Sequence, residues 1–156
     1  MSKYNESLVH QLIQVTKKYL SAFSEFTQDI PLERYHYVLI LVEQNQEKLT
    51  QKALAEMLQV DKSFMVNMIN YLTENGFVYR KINTEDRREH LIKLTDKAKK
   101  MIPSINQFIK ELNSKAFYSL PDEKIKTFFD IIEILQNNLN LINNHEIILD
   151  YQRLKS

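Results

Sequence analysis

The run VDKSFMVNMINYLTENG, from Val60 to Gly76, places Ser63, Asn67 and Asn70 on one side of a helical wheel, with Lys62 in its first turn. A little further on, the run EDRRE holds Arg87 and Arg88 beside Asp86. These side chains suit recognition of a charged, edge-bearing polymer better than bond-breaking. Asparagine bonds bidentately to adenine N6 and N7, and apolar side chains such as Val66 and Phe64 can contact a thymine methyl. Lys62 and Ser63, at a helix start, sit where backbone N–H groups and the helix dipole favour a phosphate, and Gln51 is placed similarly at the start of the preceding helix. Arginine suits the narrow, electronegative minor groove of A·T-rich DNA. Two readings stand at this point: solvated polar positions and a surface ion-pair cluster, or a surface for double-stranded DNA with A·T pairs favoured over G·C pairs under Val66, Asn67 and Asn70. The opposite side of the wheel carries Met65, Met68, Ile69 and Leu72, a stripe expected to pack on Ala55, Leu58 and Val60 rather than to bind anything.

Catalysis finds little support. His10, His36, His90 and His145 are scattered without metal-ligand spacing, so no metal is expected. The absence of cysteine removes thiolate sites and disulfides, and a single glycine leaves no room for a phosphate-cradling loop or a nucleophile elbow. The sequence predicts no enzyme and no cofactor.

Helices must position these residues, because one glycine and three prolines in 156 residues allow few turns. Leu8, Leu12, Val15, Tyr19, Phe23 and Phe26 recur at steps of three and four and predict one long amphipathic helix. Pro31 can open a second, through Tyr35, Val38, Leu39 and Val42. Thr50 caps a third through Ala53, Leu54, Met57 and Leu58; Asp61 caps a fourth that stops at Asn75-Gly76. Two β-compatible runs, Phe77–Tyr79 and Leu91–Leu94, flank the polar link NTEDRREH and predict a hairpin. Thr95 caps a fifth helix through Met101, Ile102, Ile105, Ile109 and Leu112. A sixth, after Pro121, carries Ile125, Phe128, Phe129, Ile132, Leu135 and Leu139. The expected fold is mainly α with a small β-wing: a winged helix-turn-helix domain embedded in a helical dimerisation region. Its expected divisions are residues 1–30, an N-terminal dimerisation helix; 31–100, the DNA-binding domain; and 101–156, the C-terminal dimerisation helices. Phe108, Phe117, Phe128, Phe129, Leu139, Leu141, Ile142, Ile147 and Ile148 exceed what so small a domain can cover, and a homodimer is the usual remedy.

Composition agrees. A hydrophobic content of 44% suffices for a core. Net charge is only +1, yet residues 80–100 hold 8 basic against 4 acidic side chains, a local footprint for phosphates. No apolar run approaches the roughly 20 residues of a membrane span, and the start MSKYNESLVHQ lacks a signal-peptide core. A cytoplasmic protein without membrane association is expected.

The segment LTQKALAEMLQVDKSFMVNMINYLTENGFVYRKINTEDRREHLIKLTDKAKK resembles the winged-helix core of MarR-family transcriptional regulators. The likeness lies in LTQKALAEML for the first helix of the motif, VDKS opening the second, and EDRR followed by LIKLTDKAK for the wing and its exit. The flanking helices agree in number, order and length. The resemblance implies a homodimeric repressor of a pseudo-palindromic operator, released in many members by a small aromatic or phenolic effector. It also implies that one wing arginine enters the minor groove while Asp86 and Arg88 fix the wing, which leaves Arg87 as the freer reader. The sequence departs from the family in its reading helix. Val66 and Asn67 stand where many relatives have Ser or Thr and then Arg, and Asn70 replaces a frequent carboxylate. That departure keeps an alternative open: a protein-interaction or antagonist module without sequence-specific DNA binding. Tyr19, Phe23, His36 and Tyr37 could line an effector pocket at the domain junction, or simply form core there, and they are all that speaks for a small-molecule carrier.

Overall fold

The computed structural model describes residues 7–26 and 33–142. Six helices and one hairpin follow in order: α1 Leu8–Phe26, α2 Glu33–Gln44, α3 Gln51–Leu58, α4 Lys62–Glu74, β1 Val78–Ile82, β2 His90–Leu94, α5 Asp96–Ala116 and α6 Asp122–Asn140. This is the mainly helical winged helix-turn-helix architecture that the periodicity implied. Pro31, Ile147 and Ile148 lie outside the described residues.

Caps fix the helix starts. The side chains of Thr50, Asp61 and Thr95 accept from the N–H groups of Ala53, Phe64 and Ala98 at 3.0, 2.6 and 3.2 Å. Each satisfies one of the donors that a helix start leaves without an internal partner. The stop at the end of α4 is equally specific. Gly76, at φ 75°, lets the N–H of Phe77 reach Leu72 O at 2.8 Å and its own N–H reach Thr73 O at 3.0 Å. Those two bonds are the Schellman pair, and they turn the Phe77 ring into the core beside Leu72. The end of α3 repeats the pattern without glycine: Gln59 takes φ 53°, while Val60 N–H reaches Ala55 O at 3.1 Å.

The hairpin differs from the expected runs. Phe77 belongs to the helix stop, and β1 continues through the polar Arg80 and Lys81 to Ile82. Cross-strand pairing extends it, with Val78 opposite Leu94, Arg80 opposite Ile92 and Ile82 opposite His90. The outer edge of β2 is covered by the α2–α3 connection. Ile92 and Leu94 point their N–H groups the same way, as alternate residues of a strand do. Ile92 N–H donates to Leu49 O at 2.9 Å and Leu94 N–H to Glu47 Oε1 at 2.6 Å. That covering occupies the outer edge of β2 at Ile92 and Leu94.

The core is built from α2, α3, α4, the hairpin and the first turns of α5, around Val38, Leu39, Leu54, Met65, Ile69, Leu72, Ile92 and Ile102. The methionine stripe of α4 is fully within it, and Ala55, Leu58 and Val60 pack against it. α1 attaches through Phe23, whose ring meets those of His36 at 5.1 Å and Phe108 at 5.5 Å. α5 continues past Pro103, which is exposed, so the helix does not end at that proline. α6 has no buried residue. Phe117, Phe128 and Phe129 stack edge-to-face on one another at its start, and Leu141 just past its end is 87% exposed.

Candidate nucleic-acid interface

Burying Met65, Met68, Ile69 and Leu72 fixes the rotation of α4 and forces its other side outward. Ser63, Asn67 and Asn70 are exposed on that side, Lys62 is exposed in the first turn, and Val66 is half-buried at the flank. Asn67 has no side-chain partner among the described residues.

Asn70 and Gln51 are different, because a residue that sequence reasoning did not single out joins them. Arg80 Nη2 donates to Asn70 Oδ1 at 2.7 Å and to Gln51 Oε1 at 3.2 Å, and Arg80 Nε also donates to Gln51 Oε1 at 3.3 Å. The guanidinium thus ties the first residue of α3 to the outward side of α4. One signal could have found it. Val78 and Arg80 share a face of β1, because strand residues alternate, and Val78 is buried. A polar head on the face that meets the helices must find partners there.

The wing residues form a second cluster at the loop between the strands. Asp86 accepts from Arg88 Nε at 3.0 Å and Nη2 at 2.9 Å, a two-point fork, and also from the Arg88 backbone N–H at 3.0 Å. The Arg88 side-chain bond, then its backbone bond, hold the Asp86 carboxyl below its ordinary value, and the same fork raises the guanidinium. Arg87 is exposed and has no side-chain partner among the described residues. Asn83 shapes the loop further: its side chain accepts the Glu85 N–H at 3.1 Å, and its own N–H reaches Glu89 O at 3.0 Å.

At the junction of α1, α2 and α5, Phe23 and His36 are both buried, and Tyr19 Oη donates to Asn113 Oδ1 at 2.8 Å. The structure brings Phe23 and His36 ring to ring, and Tyr19, one turn before Phe23 on α1, reaches α5. Tyr37, the next residue along α2, turns outward and is exposed. A separate cleft of about 1130 Å³ opens beside the helix-turn-helix, lined among others by Gln51, Lys62, Arg80, Arg88 and, from α6, Gln136 and Leu139. Among the described residues no group of three histidine or acidic side chains could hold a metal ion, and no helix is long and apolar enough to cross a membrane.

The family model for MarR matches residues 30–90, which span α2 to the start of β2. These residues form a MarR-family domain. The chain is 27% identical over 128 residues to YwoH, an HTH-type transcriptional regulator of Bacillus subtilis strain 168, covering 82% of this chain and 93% of that protein. Its fold is similar to that of the PcaV transcriptional regulator from Streptomyces coelicolor, solved with its natural ligand, at TM-score 0.78 and 17% identity over 88% of this chain and 96% of that one. It is also similar to CouR from Rhodococcus jostii RHA1 bound to p-coumaroyl-CoA, at TM-score 0.75 and 21% identity over 86% and 95% of the two chains. MarR-family proteins are transcriptional regulators, a class to which DNA binding belongs.

Proposed function

We propose that this MarR-family chain is a homodimeric repressor of a pseudo-palindromic, A·T-rich operator, released by a small aromatic effector. The observation that carries the reading is one outward surface holding Lys62, Ser63, Asn67 and the Arg80 triad, with Arg87, which has no side-chain partner among the described residues, on a wing that Asp86 and Arg88 stiffen. Lys62 and Ser63 would meet phosphate at the start of α4 and Asn67 would reach adenine in the major groove. Arg87 would enter the adjacent minor groove. Residues 31–100 would bind DNA, and 1–30 with 101–156 would join two copies. The exposed apolar residues of α1, such as Leu8 and Val9, and of α6, such as Phe129 and Ile134, support that pairing. The effector would enter the α1–α2–α5 junction near Tyr19, Phe23 and His36, with Tyr37 at its outer side.

Anisotropy titrations with A·T-rich and G·C-rich duplexes at two salt concentrations test the reading. Tight, salt-sensitive binding that prefers the A·T-rich duplex is expected, because released counterions dominate affinity. No binding at low salt would leave the protein-interaction alternative in its place.

A further inference from the structure

Arginine can only donate hydrogen bonds. The side-chain amides of Gln51 and Asn70 must therefore turn their oxygens toward Arg80, since the opposite orientation would set N–H against N–H. The orientation has a consequence at the outer surface. Asn70 Oδ1 and Gln51 Oε1 face the guanidinium, and what remains to face a ligand is Asn70 Nδ2, Gln51 Nε2 and Arg80 Nη1. All of these are donors. Among the described residues no carboxylate forms an ion pair with Arg80, so its positive charge is hydrogen-bonded to two neutral amides and not neutralised.

We infer that Arg80 sets the base preference of Asn70, making this position of the reading helix select guanine over adenine. Adenine's major-groove edge pairs an acceptor, N7, with a donor, N6, and a bidentate asparagine must offer oxygen to that donor. Asn70 has its oxygen turned toward a guanidinium whose positive charge disfavours a second donor beside it, and the group it turns outward is N–H. Guanine presents acceptors alone, N7 and O6, and a donor-only group fits it. Asn67, without a side-chain partner among the described residues, keeps both halves of its amide for adenine. The operator should thus be A·T-rich with a guanine at the step that Asn70 meets. This inference rests on the DNA-binding reading above and goes further by assigning one base to one residue.

Selection from a randomised duplex library by the full-length protein tests it, using wild type, Asn70→Ala, Arg80→Met and Asn70→Asp, each checked for fold by circular dichroism. Asn70→Ala identifies the step by erasing its preference. Wild type is expected to favour guanine over adenine there, roughly fivefold to a hundredfold, the span of one well-made base contact. Arg80→Met frees the amide and should turn the same step toward adenine, while the step under Asn67 stays unchanged. Asn70→Asp pairs with Arg80 and offers an acceptor outward. It should turn the step toward cytosine, whose N4 donates. Adenine selected by wild type at this step overturns the inference, as does guanine retained in both Arg80→Met and Asn70→Asp. If Arg80→Met does not fold, guanine retained in Asn70→Asp is sufficient to overturn it. A wild type that binds no duplex removes the repressor reading as well. A wild type with a clear operator that Asn70→Ala leaves unaltered removes this inference alone.

Discussion

Replacing Glu47 by Ala should destabilise the winged domain by about 2 kcal/mol, far more than a half-exposed surface carboxylate ordinarily costs. Glu47 side-chain oxygens take two partners. Oε1 accepts the Leu94 N–H at 2.6 Å, and Oε2 lies 3.6 Å from Lys99 Nζ. The two contacts differ in weight. Leu94 is 3% exposed and its N–H points away from β1, so without Glu47 a nearly buried donor loses its partner. A hydrogen bond to a charged acceptor contributes roughly 1.5–3 kcal/mol. The Lys99 pair is long, and the Lys99 side chain is 51% exposed, so it should contribute under about 0.5 kcal/mol. Glu47→Gln keeps an acceptor for Leu94 and should cost about 1 kcal/mol or less. The backbone at φ 56° is left-handed for Glu, Gln and Ala alike, so its strain cancels from the comparison. Urea unfolding followed by circular dichroism gives the measurement. For a slope of roughly 2 kcal/mol per molar, Glu47→Ala should lower the midpoint by about 1 M with the slope unchanged. Equal losses for Glu47→Ala and Lys99→Ala would refute the reasoning, since the surface pair would then account for the whole effect.

Gly76→Ala should cost about 1 kcal/mol, because a Cβ there meets no atom within 4 Å and only the strain at φ 75° remains. Gln59→Gly should go the other way by up to about 1 kcal/mol, since φ 53° already burdens a side chain there, and thermal melts should show opposite shifts for the two. Arg87→Ala should weaken binding to many duplex sequences and lower the log–log salt slope by about 0.9; an unchanged slope in anisotropy titrations would remove Arg87 from the interface. Asp86 is held below its ordinary 3.8 chiefly by the side-chain bond to Arg88. A lowered carboxylate keeps its fork above the ordinary value and loses it as pH falls through the lower, folded one. The Arg88 Nε–H resonance should accordingly stay fixed from neutrality down to about pH 4 and move only below it. Movement at pH 5 or above would contradict the fork.

Local patterns in the sequence determined the elements. Apolar spacing, the caps at Thr50, Asp61 and Thr95, and the lone glycine all act within a turn or two of chain, so a reader of the sequence can see both members of each interaction. The same reach revealed the outward set of α4, since the wheel places Asn67 and Asn70 opposite the methionines; the pairing of Asp86 with Arg88 came instead from the family resemblance, and the fork forms at 2.9 and 3.0 Å. Tertiary structure alone decided which of those side chains remain free. Arg80 reaches Gln51 across 29 positions, and Glu47 reaches Leu94 across 47. Such partners are chosen by how the hairpin folds back on α3 and α4, a geometry that no local spacing encodes. A hydrogen bond has a direction as well as two ends, and the direction in which the Asn70 amide faces follows from the guanidinium that packing sets against it.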